Sequence, residues 1–453
     1  MKSDYRLTFT DSDCVIGGCS YPAIPLLTAP DDSVVAVASD WLRMLIVTRG
    51  RPASSVRQYA YHLKYWWEYL SSIGKAWDEV EDAVVVRWRD TDLRDLDAGT
   101  VNGYIATVSR MYLWAERQGY VDGLIGQQDL TTKMQFPLTV VVNTDRRGHS
   151  RLVSPLLRKT VPKPVLPTPT HDEITKIHQA LVEIYEKNID LMIRDALVLT
   201  WAELTGVRRE EALSLKITQI PTWVQIEQLE KSEEKAALTI IGKGNKKRTI
   251  LAEPGLLIQT REYIEVERKQ IITRWRARLR ANYKVPEEIF LSTKTGQKIQ
   301  GDSISQRFAL AFRKAGVAGS MHRVRARFLT ELIFAILESE FEKLGTIPDA
   351  ASVLLPAAEL AGHSSIPMLS RYFAMARKRL YRETKTERAA RLKEREVSSK
   401  RRLDANLMRL GASRTALHLY DALSSGKKKQ ISACLKDLCE SNGIDITKLV
   451  ANA

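Results

Sequence analysis

The chain has 453 residues, 44% hydrophobic and 27% charged, which indicates a folded protein of two or three domains and argues against disorder. Lysine and arginine (69) outnumber aspartate and glutamate (54), and the net charge of +15 favours a polyanionic partner, nucleic acid or a membrane surface. The four cysteines have neither zinc-site spacing nor disulfide density, and no apolar run is long enough to span a membrane. We therefore expect a reduced, cytoplasmic protein without a metal ion.

The N-terminal part of the chain predicts a small helical domain. Residues 1–32 contain several glycines and prolines, and we expect them to form an irregular arm. The clearest helix that follows has apolar residues at steps of three and four along one face: Val56, Tyr59, Leu63, Trp66, Trp67 and Leu70. Further helices are predicted at 83–89 and from Thr100 onward. Residues 33–125 therefore predict an all-helical unit.

A proline-rich segment, residues 126–169, separates this unit from the next. Five prolines crowd its second half: Pro155, Pro162, Pro164, Pro167 and Pro169. Because proline at this density blocks helices and central strands, we expect an extended connector. Thr170 and Glu173 then form a capping-box pattern, which predicts the start of the next helix.

The second unit is predicted to span residues 170–382 and to be mostly helical. One β-hairpin interrupts it, because the β-prone runs Ala237–Ile241 and Thr249–Ala252 flank a turn rich in glycine and lysine. Residues 289–293 predict a further short strand. The sequence as a whole predicts a mainly α protein with a small β-sheet, an α+β fold.

The segment TGVRREEALSLK, residues 205–216, is the first of four patterns that indicate chemistry. Gly206 ends one predicted helix and Arg208 begins the next, where a guanidinium beside free backbone N–H groups suits a phosphate. Glu211 lies one turn along and is placed to hold Arg208. Read alone, the pair is more typical of an ordinary surface ion pair.

The segment IGKGNKKRTI, residues 241–250, is the second pattern. It places Lys243 at the tip of the predicted hairpin, followed by Lys246 and Lys247, so that an ammonium can reach into a groove. The spacing of a phosphate-binding P-loop is absent. In isolation, this segment is also typical of a solvated basic turn.

The third and fourth patterns contain histidine. In MHRVRARF, His322 and Arg325 are three residues apart and share one helical face, as in any amphipathic basic helix. In AGHSSIPMLSRYF, His363 precedes Tyr372 by nine residues; alone, these read as a capping histidine and a half-buried aromatic. Neither histidine has a carboxylate or cysteine at metal-ligand spacing.

Together and in this order, the four patterns resemble the catalytic signature of the tyrosine recombinase (phage integrase) family. The matching residues are Arg208, Lys243, His322, Arg325, His363 and Tyr372. The resemblance extends over about residues 33–380. It implies a helical, SAM-like core-binding domain that binds DNA, followed by a tyrosine-recombinase catalytic domain.

The resemblance also implies a role for each residue in transferring a DNA phosphodiester to Tyr372. Arg208 and Arg325 would clamp the non-bridging oxygens, and His363 would donate a hydrogen bond to them. His322 would assist proton movement at Tyr372, and Lys243 would protonate the leaving 5′-oxygen. Glu211 would support Arg208. No metal, cofactor or ATP is implied. A non-catalytic DNA-binding protein and a type IB topoisomerase-like enzyme remain the alternatives.

Double-stranded DNA is the implied partner, clamped between the two domains. Backbone contacts are predicted from a basic helix and from the hairpin: Arg268, Lys269, Arg274, Arg276, Arg278, Lys246 and Lys247. A solvated charged face is the alternative reading. The resemblance further implies a homo-tetramer on paired sites, accessory DNA-bending or partner recombinase proteins, and association with the nucleoid.

Three features depart from the family pattern. Ala326 follows Arg325, where many relatives have a second histidine. The 38 residues from Arg325 to His363 form an unusually long spacing, which predicts a lengthened helix or an inserted loop. The chain continues for 81 residues beyond Tyr372, and residues 383–453 form a basic C-terminal extension that either contacts DNA or a partner or is a solvated helical extension.

Overall fold

The computed structural model describes residues 5–128, 135–145, 148–161, 168–185, 188–242, 246–362, 366–384, 386–390 and 393. The chain divides into two compact units, Met1–Val165 and Leu166–Ala453. Helices predominate in both, accompanied by small sheets, and the predicted mainly α fold is confirmed. None of the helices within the described ranges combines the length and apolar character needed to cross a membrane.

The N-terminal residues are more ordered than predicted. Four strands, β1 (Arg6–Phe9), β2 (Val15–Ile16), β3 (Cys19–Ser20) and β4 (Pro25–Thr28), form two antiparallel pairs, β1 with β4 and β2 with β3. Leu27 of β4 is completely buried among the helices that follow, and its backbone N–H donates to Ser39 Oγ at 3.1 Å. The prediction of an irregular arm for residues 1–32 is therefore wrong, because buried apolar residues anchor this segment to the core.

Four helices form the core of the first unit: α1 (Ala36–Val47), α2 (Ala53–Ser72), α3 (Asp82–Asp90) and α4 (Ala98–Arg117). The predicted inner face of α2 is confirmed, since Tyr59 is partly buried and the other five predicted residues are buried. Helix α4 begins slightly earlier than predicted because Asp97, and not Thr100, caps it by accepting hydrogen bonds from two backbone N–H groups.

A three-stranded sheet follows where the connector was predicted to begin. Strand β5 (Ile125–Gln127) pairs in parallel with β6 (Leu138–Thr144), which pairs antiparallel with β7 (Ser150–Val153). Leu138 and Val140 are buried in the core of the first unit. The connector predicted for residues 126–169 thus corresponds to sheet over its first half, because the prolines that exclude regular structure cluster after β7.

The second unit is built from ten helices and one hairpin within the described residues. The helices are α5 (His171–Ile184), α6 (Ile189–Thr205), α7 (Arg209–Leu213), α8 (Trp223–Lys231), α9 (Pro254–Tyr263), α10 (Lys269–Leu279), α11 (Gly301–Lys314), α12 (Met321–Leu344), α13 (Ala350–Ala361) and α14 (Ser370–Arg382). The hairpin joins β8 (Ala236–Ile241) to β9 (Lys247–Ala252), in agreement with the prediction. Short 3₁₀ turns occur at Ile217–Gln219, Arg280–Asn282 and Ile366–Met368, and a π-helical turn, Ile264–Arg268, joins α9 to α10.

The remaining local predictions for this unit have mixed outcomes. Thr170 and Glu173 form the predicted capping box at the start of α5. Residues 289–293 do not form a strand of a sheet: Leu291 makes a single bridge to Lys298, although Ile289, Phe290 and Leu291 are buried. The long spacing before His363 contains the 24-residue helix α12 and the 12-residue helix α13, joined by residues 345–349.

Two apolar clusters lie within the second unit. The larger cluster includes Trp201 of α6, which is completely buried. The smaller cluster is formed by α12, α13 and α14, and it contains Tyr372. Gly206 ends α6 in the left-handed region (φ +64°), where a β-carbon would also collide with the ring of Phe328. This turn directs the chain from α6 into α7.

A buried histidine makes the first unit sensitive to acid. His62 of α2 is 6% exposed, its Nδ1 lies 2.8 Å from Thr107 Oγ1, and its ring stacks on Tyr104 with centroids 4.1 Å apart. Burial lowers the pKa of His62 from 6.5 to about 4. The unfolded chain therefore binds a proton that the folded chain excludes. The free energy of unfolding should fall by about 3 kcal/mol as the pH drops from about 6.5 to about 4, and then level off.

Urea unfolding of the full chain at a series of pH values, followed by tryptophan fluorescence, measures this dependence. The variant His62→Gln keeps a hydrogen-bonding group beside Thr107 but has no proton to gain. Its unfolding free energy should therefore lose this component of the pH dependence. If the unfolding free energy changed equally with pH in both proteins between pH 4 and pH 6.5, His62 would not be the source of the pH dependence.

Candidate active site

Arg208 and Glu211 form the pair that the sequence predicted. Arg208 occupies the position that caps α7, and its backbone N–H donates to Glu211 Oε2 at 2.8 Å. Its Nη1 donates to Glu211 Oε1 at 2.7 Å. The carboxylate therefore fixes both the backbone and the guanidinium of Arg208, whose side chain stays one-third exposed and accessible to a ligand.

Arg248 of β9 is a member of the site that the sequence did not predict. Its Nη2 donates to Glu211 Oε2 at 2.6 Å, and its Nη1 donates to the backbone carbonyl of Leu360 at 3.0 Å. Arg248 thus joins the hairpin, the start of α7 and the end of α13. The only local signal was its place in a basic hairpin, and the partners that define it are 37 and 112 residues away.

Glu211 lies between the two arginines with only 3% of its side chain exposed. Burial alone would raise the pKa of this carboxyl group. The hydrogen bonds from Arg248 and from Arg208 outweigh burial, and the pKa of Glu211 lies below its ordinary value. The carboxylate is therefore charged at neutral pH and holds two guanidinium groups in place.

Arg325 of α12 connects the ends of two other helices. It is 2% exposed, and its guanidinium donates to the backbone carbonyl of Gly206 and, at 2.7 Å, to that of Ala361. These carbonyls end α6 and α13, where carbonyl groups lack partners within the helix. Burial and the nearby charges of Arg208 and Arg248 lower the pKa of Arg325 to about 9. An anion at this position would relieve the repulsion between these cations.

His322 lies one turn before Arg325, in the first turn of α12, and the residue is partly exposed. Desolvation, followed by the charges of Arg325, Arg371 and Arg208, lowers the pKa of His322 below its ordinary value. The imidazole is therefore neutral at pH 7 and able to accept a proton. The structure brings His322 close to three arginines, as the predicted phosphate-binding cluster requires.

Tyr372 is buried at the start of α14, with only 4% of its surface exposed. Its ring belongs to the apolar cluster of α12, α13 and α14, which also contains Ala326. Its phenolic Oη accepts a hydrogen bond from Arg371 Nη2 at 2.6 Å. Tyr372 also contributes to the electrostatic environment of Arg325, so the phenol and the arginine cluster share one site.

Lys243 and His363 lie outside the described residues, but their neighbours Gly242 and Gly362 are described. A β-carbon on Gly242 would lie 3.0 Å from Glu211 Oε1. Gly362 has a left-handed backbone (φ +62°), and a β-carbon there would collide with Arg248. Both glycines therefore lie against the Arg208–Glu211–Arg248 network.

The predicted DNA-backbone contacts divide into two groups. Six of the seven side chains are exposed on α10 or the hairpin: Lys246, Lys247, Lys269, Arg274, Arg276 and Arg278. Arg268 differs, because it is 3% exposed and donates to the backbone carbonyls of Glu288 (3.0 Å) and Pro286 (2.6 Å). Arg268 is therefore a structural residue of the π-helical turn, and its prediction as a phosphate contact is wrong.

Two stretches of the chain match known protein families. Residues 38–119 match the family described as phage integrase, N-terminal SAM-like domain, and residues 169–339 match the phage integrase family. Together they cover more than half of the chain. Arg208, His322 and Arg325 lie inside the second stretch, and Tyr372 lies beyond its end. A search of curated proteins finds no match.

Several solved structures are similar. The XerH site-specific recombinase bound to palindromic difH substrate, in a post-cleavage complex, is 18% identical, with a TM-score of 0.44 over 79% of this chain and 85% of that one. A lambda integrase dimer bound to a COC′ core site is 17% identical, with a TM-score of 0.44 over 75% and 95%. The Tn1549 transposon integrase in complex with a circular intermediate DNA is 13% identical, with a TM-score of 0.40 over 79% and 98%.

The chain belongs to the phage integrase family of tyrosine recombinases. It is a DNA strand-exchange enzyme with a SAM-like N-terminal domain and an integrase catalytic domain. The family resemblance inferred from the order of four short motifs is thereby confirmed.

Replacement of Glu211 tests the network that holds the arginines. Glu211→Gln should destabilise the second unit by about 3–5 kcal/mol, because removing one partner leaves buried charge uncompensated. Because its folded pKa is lowered, the contribution of Glu211 is present at neutral pH and is lost only as the pH falls through that folded value. Urea unfolding at pH 7 measures the loss.

Glu210→Gln is the matched control, since Glu210 is the adjacent residue, is mostly exposed and pairs with Arg209. Its effect should stay within about 0.5 kcal/mol. Similar losses in the two variants would show that removal of any negative charge here, and not the buried network, is responsible.

Proposed function

We propose that this enzyme is a site-specific DNA recombinase, of the integrase or transposon-recombinase kind, that cleaves and rejoins DNA through a covalent 3′-phosphotyrosine bond at Tyr372. One observation supports the proposal most strongly. Among the described residues, the buried phenol lies in a site with four guanidinium groups, those of Arg208, Arg248, Arg325 and Arg371, and the carboxylate of Glu211 binds two of them. Such an excess of positive charge suits a phosphodiester.

The proposed reaction exchanges one phosphate ester for another. Tyr372 Oη forms a bond to phosphorus while the bond between phosphorus and the 5′-oxygen breaks. The phenolic proton leaves toward His322, and Lys243 supplies a proton to the departing 5′-oxygen. Arg208 and Arg325, with His363, stabilise the negative charge on the non-bridging oxygens. Attack by a 5′-hydroxyl from another strand reverses these steps and joins new DNA.

This chemistry calls for neither a metal ion nor ATP. The arginines and the lysine supply the positive charge that a metal would supply in other phosphoryl-transfer enzymes. The phosphotyrosine ester conserves the energy of the cleaved bond, so rejoining needs no external source.

Double-stranded DNA is the proposed substrate and principal partner. Exposed basic side chains on α10 and on the hairpin support contacts to its phosphates. Strand exchange between two sites calls for an assembly on paired DNA, and we propose a homo-tetramer, with accessory DNA-bending or partner recombinase proteins. The enzyme would act in the cytoplasm, at the nucleoid.

A nicked suicide substrate tests the covalent step, because loss of the short fragment that carries the released 5′-hydroxyl prevents rejoining and traps the phosphotyrosine product. The wild-type enzyme should form a protein–DNA adduct that survives denaturation, and Tyr372→Phe should form none, since it lacks the attacking oxygen. Adduct formation should persist in EDTA and without ATP. Denaturing gel electrophoresis of labelled DNA detects the adduct.

An adduct formed by Tyr372→Phe, or none formed by the wild type, would contradict the assignment. A wild-type protein that binds DNA without cleaving it would be a non-catalytic member of the fold. Relaxation of supercoiled DNA with no requirement for a particular site would identify a type IB topoisomerase-like activity instead.

The salt dependence of DNA binding tests the basic surface. Replacing Arg274 and Arg278 together by glutamine should reduce the slope of log affinity against log salt concentration by about 1 for every DNA phosphate that these side chains neutralise. Lys231 and Lys235 provide the matched double substitution, because both are exposed lysines of the same unit that already pair with glutamates. If the slope were unchanged in the arginine variant, or reduced equally in the arginine and lysine variants, the DNA would not bind at Arg274 and Arg278. Fluorescence anisotropy at several salt concentrations measures the slopes.

A further inference from the structure

Arg371, the residue immediately before the proposed nucleophile, contacts the phenol of Tyr372 in two ways. Its Nη2 donates a hydrogen bond to Tyr372 Oη at 2.6 Å. The central carbon of the same guanidinium lies 4.6 Å from the centroid of the tyrosine ring. The phenolic oxygen and the ring face of Tyr372 are thus both in contact with one positive charge.

Arg371 differs from Arg379, on the same helix, in its ion pairing. Within the described part of the chain, no carboxylate forms an ion pair with Arg371, whereas Arg379 on the same helix pairs with Glu331 at 3.0 Å. Arg371 also lies close enough to His322 to lower the pKa of that histidine. Its guanidinium therefore belongs electrostatically to the active site, although it is not one of the residues that match the family signature.

We propose that Arg371 is a further catalytic residue, whose guanidinium stabilises the negative charge that develops on Tyr372 Oη as this oxygen attacks the phosphate. The inference rests on the proposed function, in which Tyr372 is the nucleophile. Bonds and protons are those of the proposed reaction: Oη gains a bond to phosphorus, its proton leaves toward His322, and the 5′-oxygen departs with a proton from Lys243. Arg371 exchanges no atom and remains a cation throughout.

The direction of the hydrogen bond favours this role. Because Arg371 donates to Oη, the phenolic hydrogen remains available for transfer to a base. A hydrogen bond from a cation becomes stronger as its acceptor gains negative charge, so this contact stabilises the ionised oxygen more than the neutral phenol. The low exposure of Tyr372 strengthens the effect, since little water screens the interaction.

A contact to the DNA backbone is the competing role for an exposed arginine on this helix. The two roles differ in what they change. A backbone contact affects DNA affinity, and a weaker affinity is overcome by more enzyme. A contact to the attacking oxygen affects the rate of cleavage with DNA fully bound, and its importance depends on the acidity of the phenol.

The test is the single-turnover rate of adduct formation on the nicked substrate, with the full chain at concentrations that saturate the DNA. Arg371→Gln should slow this rate by roughly 10- to 100-fold, the range for losing a hydrogen bond to a charged group. Arg371→Lys should lie between Arg371→Gln and the wild type. Arg377→Gln is the matched control, because Arg377 is an exposed arginine on the same helix that lies over Phe373, 6.0 Å from its ring centroid, and not over the nucleophile. Its rate should equal that of the wild type.

A more acidic phenol at position 372 distinguishes a catalytic role of Arg371 from a purely structural one. Incorporating 2,3,5-trifluorotyrosine at position 372 supplies a nucleophile that ionises more readily, so the ratio of the wild-type rate to the Arg371→Gln rate should shrink. The inference would be overturned if the ratio of the two rates did not change, or if Arg371→Gln reacted at the wild-type rate. It would also be overturned if the slower reaction of Arg371→Gln were restored by a higher enzyme concentration. In each of these cases Tyr372 would remain the nucleophile. Adduct formation by Tyr372→Phe would instead contradict the proposed function, and the role of Arg371 with it.

Discussion

Two arginines from distant parts of the chain are held by the two oxygens of one buried carboxylate. Glu211 accepts hydrogen bonds from Arg208 at the start of α7 and from Arg248 of the hairpin, which in turn binds the end of α13. Without this carboxylate the guanidinium groups would repel one another in a poorly hydrated site. With it, they remain fixed before any DNA is present, and enough positive charge is left over to attract a phosphate. Preorganised charge of this kind is an effective means of stabilising a transition state, because no reorganisation is needed during the reaction.

The proposed nucleophile lies at a boundary between apolar packing and charge. The ring of Tyr372 is packed in the cluster that includes Ala326 and Leu329 of α12, whereas its oxygen faces arginine. A tyrosine suits this boundary because its body is apolar and its tip is polar. At position 326, the methyl group of an alanine contributes to this packing. The site therefore relies on apolar contacts to orient the phenol ring and on arginine to bind its oxygen.

The sequence was sufficient to predict pairs of site residues that lie within one helical turn of each other. Arg208 and Glu211 are one helical turn apart, and His322 and Arg325 share a helix face, so short motifs were sufficient to find them. The sequence was not sufficient for residues whose hydrogen-bond partners lie far away in the chain or are buried. Arg248 has no local pattern, because its partners come from α7 and α13, and Arg268 looked like its exposed neighbours because the carbonyls it binds lie 18 and 20 residues further along the chain. The N-terminal strands were missed because they are only two to four residues long and are stabilised by packing against helices.

Arg325 links two helix ends that lie far from it in the chain. Its hydrogen-bond partners, Gly206 and Ala361, lie 119 residues before it and 36 residues after it in the chain. Contacts between such distant residues form late, since the entropy of closing long loops must be overcome first. The phenol of Tyr372 follows still later, on α14. The proposed site is therefore complete only when elements from α6 to α14 have come together.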